Sequence, residues 1–271
     1  MMLFMEDKEL ILIKFGGSII TDKNIPFTAR RKVIAGLGKE IFRAKNKVKV
    51  DIIIGNGSGS FGHTVASKYN TQDGIINKKS IIGLSLVSDA AVQINRIVID
   101  ELIKVGLPVV SFSPSSFLHT SGKKLKSSYI KPIIRALGIG IIPVIYGDII
   151  FDEKKGCCIY SGEKTLIILA AKLKPLYKKV RIIYCGDTRG VYDADGKTIS
   201  IIDSKLFIKL KKQIGGSRSI DVTGGMLHKV SESLKIANKY GIQTTILNGT
   251  EHGNLLDSIL DKRVVSTLVG S

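Results

Sequence analysis

Two glycine turns and the cations beside them are the part of this chain equipped for chemistry. Gly16-Gly17-Ser18 follows the β-branched run Glu9 to Phe15, and Gly55-Asn56-Gly57-Ser58-Gly59-Ser60-Phe61-Gly62-His63 follows the run Val50 to Ile54. Glycine lets a backbone approach phosphate oxygens closely and aim N–H groups at them. Lys14, Lys23 and His63 lie beside the turns, where cations would neutralise charge along a phosphoryl-transfer path. Ligands of open α/β sheets sit outside the carboxyl ends of the strands, so both turns are predicted to face one phosphate-rich cleft. No carboxylate base stands at these strand ends, which suits an acceptor that is already anionic.

Other phosphate chemistries fit less well. Residues 57–62 match GxGxxG, but the acidic residue a dinucleotide site needs about 20 positions on is missing: Pro108 to Ser113 ends in Ser-Pro, and Asp89 lies within a helical pattern. No GxxxxGK[ST] occurs, which removes a P-loop. His63, His119, His228 and His252 lack metal-ligand spacing, so no protein-bound metal site is expected.

Short β-branched runs alternate with helical periodicity along the whole chain, the pattern of a mostly parallel sheet covered by helices on both faces. Strands are predicted at Glu9 to Phe15, Val50 to Ile54, Pro108 to Phe112, Ile141 to Tyr146, Cys158 to Tyr160, Val180 to Tyr184, Gln243 to Leu247 and Ser266 to Val269. Helices are predicted from a Thr28 cap to about Lys45, at Thr64 to Tyr69, Ser80 to Val105, Glu163 to Leu173 and Gly224 to Tyr240. The strand ending at Tyr146 delivers Gly147-Asp148 to the same edge as the glycine turns.

At 271 residues, 44% hydrophobic and 24% charged, the chain is folded rather than disordered. The net charge of +18 comes from lysines spread along the chain. Without a basic tail or aromatic interleaving, that distribution suits solvated helix faces and anionic small molecules better than a nucleic-acid groove. Cys157, Cys158 and Cys185 form no CxxC pair, which fits a reducing cytoplasm. The longest apolar runs, such as Ile141 to Ile145 and Leu166 to Ala171, fall well short of the roughly 20 residues of a membrane span.

Lys14-Phe15-Gly16-Gly17-Ser18 with Thr21 and Lys23 resembles the opening KxGGSxxTxK of the isopentenyl phosphate kinases within the amino acid kinase superfamily. Gly59-Ser60-Phe61-Gly62-His63 resembles their GSFGH, Pro143 to Asp148 their central strand end, and Asp221-Val222-Thr223-Gly224-Gly225-Met226 with Lys229 their DVTGGMxxK. The resemblance spans nearly the whole chain. It implies an amino acid kinase fold, a three-layer αβα sandwich, with an acceptor lobe (1–155) and a nucleotide lobe (156–271) sharing one sheet. It also implies ATP and Mg²⁺, in-line transfer to isopentenyl phosphate, and a homodimer.

Residue by residue, the resemblance implies that Lys14 bridges the ATP phosphates, Lys23 stabilises the transferring group, and Gly16, Gly17 and Ser18 line its path. Gly57, Ser58 and Gly59 would hold the acceptor phosphate with His63, and Gly147 and Asp148 would stand at the acceptor end. Asp187, Gly190, Tyr192, Gly225, Met226 and Lys229 would serve the nucleotide. The acceptor tail is expected against Val65, Ile82, Leu86 and Ile145. Three departures stand out: Asn56 and Ser58 where the family reads His and Gly, Glu163 where it reads Asp, and an arginine in Asp187-Thr188-Arg189-Gly190. The first of these keeps open a relative acting on another small phosphate or phosphonate, as fosfomycin kinases do. A non-catalytic nucleotide or RNA binder is the alternative from outside the enzymes.

Overall fold

The computed structural model describes residues 6–69, 75, 77–214 and 224–270, with the side chains of His63 and of residues 66–68 and 212–214 outside that description. In chain order the elements are β1 (Glu9–Phe15), α1 (Gly17–Ile20), α2 (Arg31–Lys45), β2 (Val50–Asn56), α3 (Gly59–Tyr69), α4 (Lys78–Lys104), β3 (Val109–Ser111), β4 (Leu118–Ser121) and β5 (Lys124–Ser128). There follow α5 (Lys131–Gly138), β6 (Ile142–Tyr146), β7 (Asp148–Asp152), β8 (Gly156–Tyr160), α6 (Gly162–Leu173), β9 (Lys179–Gly186), β10 (Ile201–Ile202), α7 (Ser204–Ile214), α8 (Gly224–Tyr240), β11 (Gln243–Asn248), α9 (Asn254–Ile259) and β12 (Ser266–Val269).

An eight-stranded sheet runs in the order β10-β12-β11-β9-β1-β2-β6-β3. Its pairs are parallel except β11 with β12. From β1 the chain moves outward to β2 on one side and later returns to β9 on the other, so the order reverses at β1 and a crevice opens at its carboxyl end. The expected three-layer sandwich follows from alternation along β1. Leu10 and Leu12 point into a core completed by α5, α6, α7 and α8, while Ile11, Ile13 and Phe15 point into one completed by α1, α2, α4 and α9. Lys14 shares the face of Leu10 and Leu12. That parity aims a charged side chain towards α6.

Beside the main sheet, β5-β4-β7-β8 form a four-stranded sheet of their own. The 155/156 boundary falls in the β7–β8 hairpin, where Asp152 accepts the N–H groups of Lys154 and Lys155 at 3.0 Å each. The structure departs from the sequence expectations at four points. Thr28 does not cap α2: Arg30 holds that place without a side-chain bond, and the Thr28 hydroxyl donates to the Pro26 carbonyl. Helix α3 begins at Gly59 rather than Thr64, so the second glycine turn already forms its first turn. The strands of the small sheet before β8 and helices α5, α7 and α9 were not anticipated. Finally, α4 has the length and apolar content of a membrane span, which a search for unbroken apolar runs overlooks. Its inward residues Ala90, Ile94, Val98 and Leu102 are buried in the core of the sandwich.

Candidate active site

A cleft of about 1000 Å³ opens at the carboxyl ends of the parallel strands. Its floor is the meeting of the two glycine turns. Gly57 N–H donates to the Phe15 carbonyl at 3.0 Å, and the turns then touch backbone to backbone: a Cβ on Gly17 would come within 2.7 Å of Gly59 N. Gly59 has φ +48°, and a Cβ there would collide with the Thr21 hydroxyl, so glycine is required on both conformational and steric grounds. Ser58, the departure from an all-glycine turn, packs its hydroxyl over Gly62, which has room because it lacks a Cβ.

Behind the second glycine turn runs a series of neutral hydrogen bonds. The Ser111 hydroxyl donates to Asn95 Oδ1 at 2.5 Å, Asn95 Nδ2 donates to Asn56 Oδ1 at 2.9 Å, and Asn56 Nδ2 donates to the Gly57 carbonyl at 3.3 Å. Asn56 and Asn95 are buried, where unpaired amides would be costly. Asn56 therefore anchors the turn through α4 and β3.

Charge holds the other side together. Lys14 Nζ donates to Glu163 Oε1 at 2.8 Å, and Lys229 Nζ stands 3.9 Å from the same oxygen. Glu163 comes from the first turn of α6, whose N-cap Ser161 accepts from Lys164 N. Burial alone would raise the Glu163 carboxyl, but Lys14 and Lys229 outweigh it and hold the group below its ordinary value. Burial lowers the Lys229 ammonium, with Glu163 opposing and Lys14 reinforcing that shift. Lys23 Nζ bonds Asp187 Oδ2 at 2.9 Å; this pair is half exposed and screened accordingly. Burial pushes up the Asp187 carboxyl as well, yet Lys23 draws it below its ordinary value.

Lys14, Gly16, Gly17, Ser18, Lys23, Gly57, Ser58, Gly59, Gly147, Asp148, Gly225 and Lys229 all line the cleft. Asp148 is buried there, raised by desolvation against the hydrogen bonds of Ser88, Ile149 N–H and Ser113. Asp187 stands at the rim through Lys23. Besides Asp187, three of the residues expected to serve a nucleotide lie off the cleft lining. Gly190 packs against Thr267, where a Cβ would approach Thr267 N to 2.9 Å. The Tyr192 hydroxyl accepts from Arg189 N, and Met226 packs on the core. The His63 side chain and Asp221, Val222 and Thr223 lie outside the described residues.

The apolar wall differs from expectation. Ile82 and Leu86 are exposed on the outer face of α4, and Ile145 is fully buried in the core; Val65 packs on the other core cluster. Val87, Ala91, Ile159 and Tyr160 line the cleft instead. Helical period explains it, since Leu84, Val87 and Ala91 share the inward stripe. Sequence reasoning gave no site role to Lys123 or His228, both on the lining with Ser161 and Gly162. All three cysteines are buried free thiols, and burial pushes Cys157 up to about 11.

Comparison with known proteins agrees with this geometry. A profile of the amino acid kinase family matches residues 9–248; the chain belongs to the amino acid kinase family, whose members are phosphotransferases. Over 93% of this chain and 95% of the relative it is 35% identical to the isopentenyl phosphate kinase of Methanocaldococcus jannaschii. It is 29% identical to that of Methanothermobacter thermautotrophicus over 96% and 98% of the two chains. An X-ray structure of an isopentenyl phosphate kinase superposes with a TM-score of 0.79 at 27% identity, covering 96% of this chain and all of the other.

Proposed function

We propose that this protein transfers the γ-phosphoryl group of ATP to isopentenyl phosphate, giving isopentenyl diphosphate and ADP. The observation that carries this reading is one cleft holding the Lys14–Glu163–Lys229 cluster, the two abutting glycine turns and the apolar wall of Val87, Ala91 and Ile159. Its near full-length relatives named above supply the acceptor. Phosphoryl transfer needs positioning and neutralised charge more than covalent help. Lys14 and Lys229, fixed by Glu163, would meet the β- and γ-phosphates, with Lys23 following the transferring group. The N–H groups of Gly57, Ser58 and Gly59, with His63, would hold the acceptor phosphate, whose own oxygen attacks. The apolar wall would bury the isoprenoid tail at roughly 0.8 kcal/mol per CH₂.

Residues 1–155 would supply the acceptor side and 156–271 the nucleotide side, with Asp187, Gly190, Tyr192, Gly225 and Met226 shaping the nucleotide's surroundings. Mg²⁺ fits as an ion carried on the nucleotide phosphates, since it keeps several waters and favours one or two carboxylates plus phosphate. Glu163 and Asp187 are each already engaged by a lysine, and there is no cluster of three metal-ligating side chains among the described residues. Bound there, the ion would neutralise charge between the β- and γ-phosphates. A cytoplasmic homodimer completes the proposal.

ADP release is the test, with ATP and Mg²⁺ against isopentenyl, dimethylallyl and geranyl phosphates, fosfomycin and no acceptor. Turnover selective for isopentenyl phosphate is expected. Turnover of fosfomycin alone would move the acceptor assignment to a phosphonate and point to Ser58 and Asn56; ATP binding without turnover of any compound would overturn the kinase reading.

A further inference from the structure

Thr21 occupies an unusual position between the two glycine turns. It is fully buried at the end of α1. Its hydroxyl donates to the Gly17 carbonyl at 2.7 Å and accepts the Ser60 N–H at 3.0 Å. One hydroxyl thus satisfies a backbone acceptor of the first turn and a backbone donor of the second, and uses its single proton on the first. The loop after it is tied down too, by an isolated antiparallel bridge from Thr21 to Ala29. Two residues further on, Lys23 reaches Asp187.

We infer that Thr21 is a positioning residue: its hydroxyl sets the separation and mutual orientation of the donor-side turn (16–18) and the acceptor-side turn (57–60), and thereby the in-line distance across which the phosphoryl group moves. This rests on the kinase reading above for its catalytic meaning, while the tie itself is a matter of geometry. Van der Waals contact cannot set the orientation alone. The Gly17, Gly57 and Gly59 backbones touch without side chains between them, and such a contact resists compression but not sliding or separation. The Thr21 bonds are directional and link the turns on the side where Gly59 leaves room for the hydroxyl. A misplacement of about 1 Å between reacting groups can cost about 10²-fold in rate, so a tie of this kind affects kcat more than it affects the binding of either substrate alone.

The test compares Thr21→Val, which keeps the branched shape and removes the hydroxyl, with Thr21→Ser, which keeps the hydroxyl. Two readouts are taken: steady-state kinetics with ATP and isopentenyl phosphate, and amide hydrogen exchange at Ser60. Thr21→Val is expected to lower kcat by about 30-fold to 100-fold, with KM for ATP within about threefold of the unaltered protein, and to speed exchange at Ser60 by at least about tenfold. Thr21→Ser is expected to recover most of both losses. A role confined to stability would lower Tm without this split between kcat and KM, and serine would not repair it. Ser60 exchanging no faster in Thr21→Val, or kcat falling less than about threefold, would overturn the inference. If the unaltered protein turns over no acceptor, the kinase reading fails on that result alone, and the Ser60 exchange comparison still decides whether the tie exists.

Discussion

The two sides of the cleft are built from different materials. On one side, proposed to meet the nucleotide, Lys14, Glu163 and Lys229 form a charged cluster, with Lys23 and Asp187 as a second, more exposed pair. On the other, proposed to meet the acceptor, Ser111, Asn95 and Asn56 hold the second glycine turn through neutral groups. The difference teaches how each side tolerates its ligand. A cluster of two cations on one anion carries surplus positive charge that a polyphosphate can take up. A neutral amide chain fixes backbone direction without competing for the incoming anion. On the proposed reading, charge would attract the nucleotide and the amides would shape the place where the acceptor phosphate sits.

The largest expected effect comes from removing the cation closest to the centre. Lys14→Ala should cut turnover by about 10³-fold or more, measured as ADP release, while the protein remains folded by circular dichroism. Glu163→Gln should lower kcat by about tenfold to a hundredfold, because Lys14 and Lys229 lose the anion that aligns them. It should also change the acid limb of stability. The folded-state value of Glu163 is lowered, so its contribution is present above the ordinary value of 4.5 and is lost as pH falls through the lowered one. Thermal melts between pH 7 and pH 3 should therefore fall more steeply for the unaltered protein than for Glu163→Gln.

On the neutral side the expected losses are smaller and selective. Asn95→Ala breaks the chain in its middle and should raise KM for the acceptor about tenfold, a loss of about 1.4 kcal/mol, with KM for ATP unchanged. Equal rises in both constants would erase the distinction between the two sides. Asp148→Asn gives the smallest effect, and one of opposite sign. Burial raises the Asp148 carboxyl, so the stability it permits is fullest below its ordinary value and is lost as pH rises through the raised one. The amide should lift Tm by about 2 °C at pH 7.5, an advantage that disappears as the pH is lowered.

Much of this arrangement is written locally in the chain. The β1 strand was legible to its last residue because ELILIKF is an apolar run of Leu and Ile followed at once by two glycines, and α6 and α8 were legible from their periodicity. The small sheet was not: β5 reads KLKSS, a polar segment whose strand character comes from pairing with β4 rather than from its own residues. The apolar wall was not legible residue by residue, because helical phase turns Ile82 outward and Val87 inward. The Lys14–Glu163 bond joins residues 149 positions apart, so spacing alone could not reveal it. Only the family motif pointed to a carboxylate there.

The alternation along β1 makes the reactive centre a check on assembly. Leu10, Leu12 and Lys14 face one core, and Ile11, Ile13 and Phe15 face the other. A slip of one residue would exchange the two sets, carrying the ammonium of Lys14 into the mainly apolar core beneath α2 and α4, away from Glu163, at a heavy desolvation penalty. A misregistered chain is thus both inactive and unstable. Lys14 thus acts as a proofreading mark for the central strand, so molecules that persist in the folded state are those that place it beside Glu163.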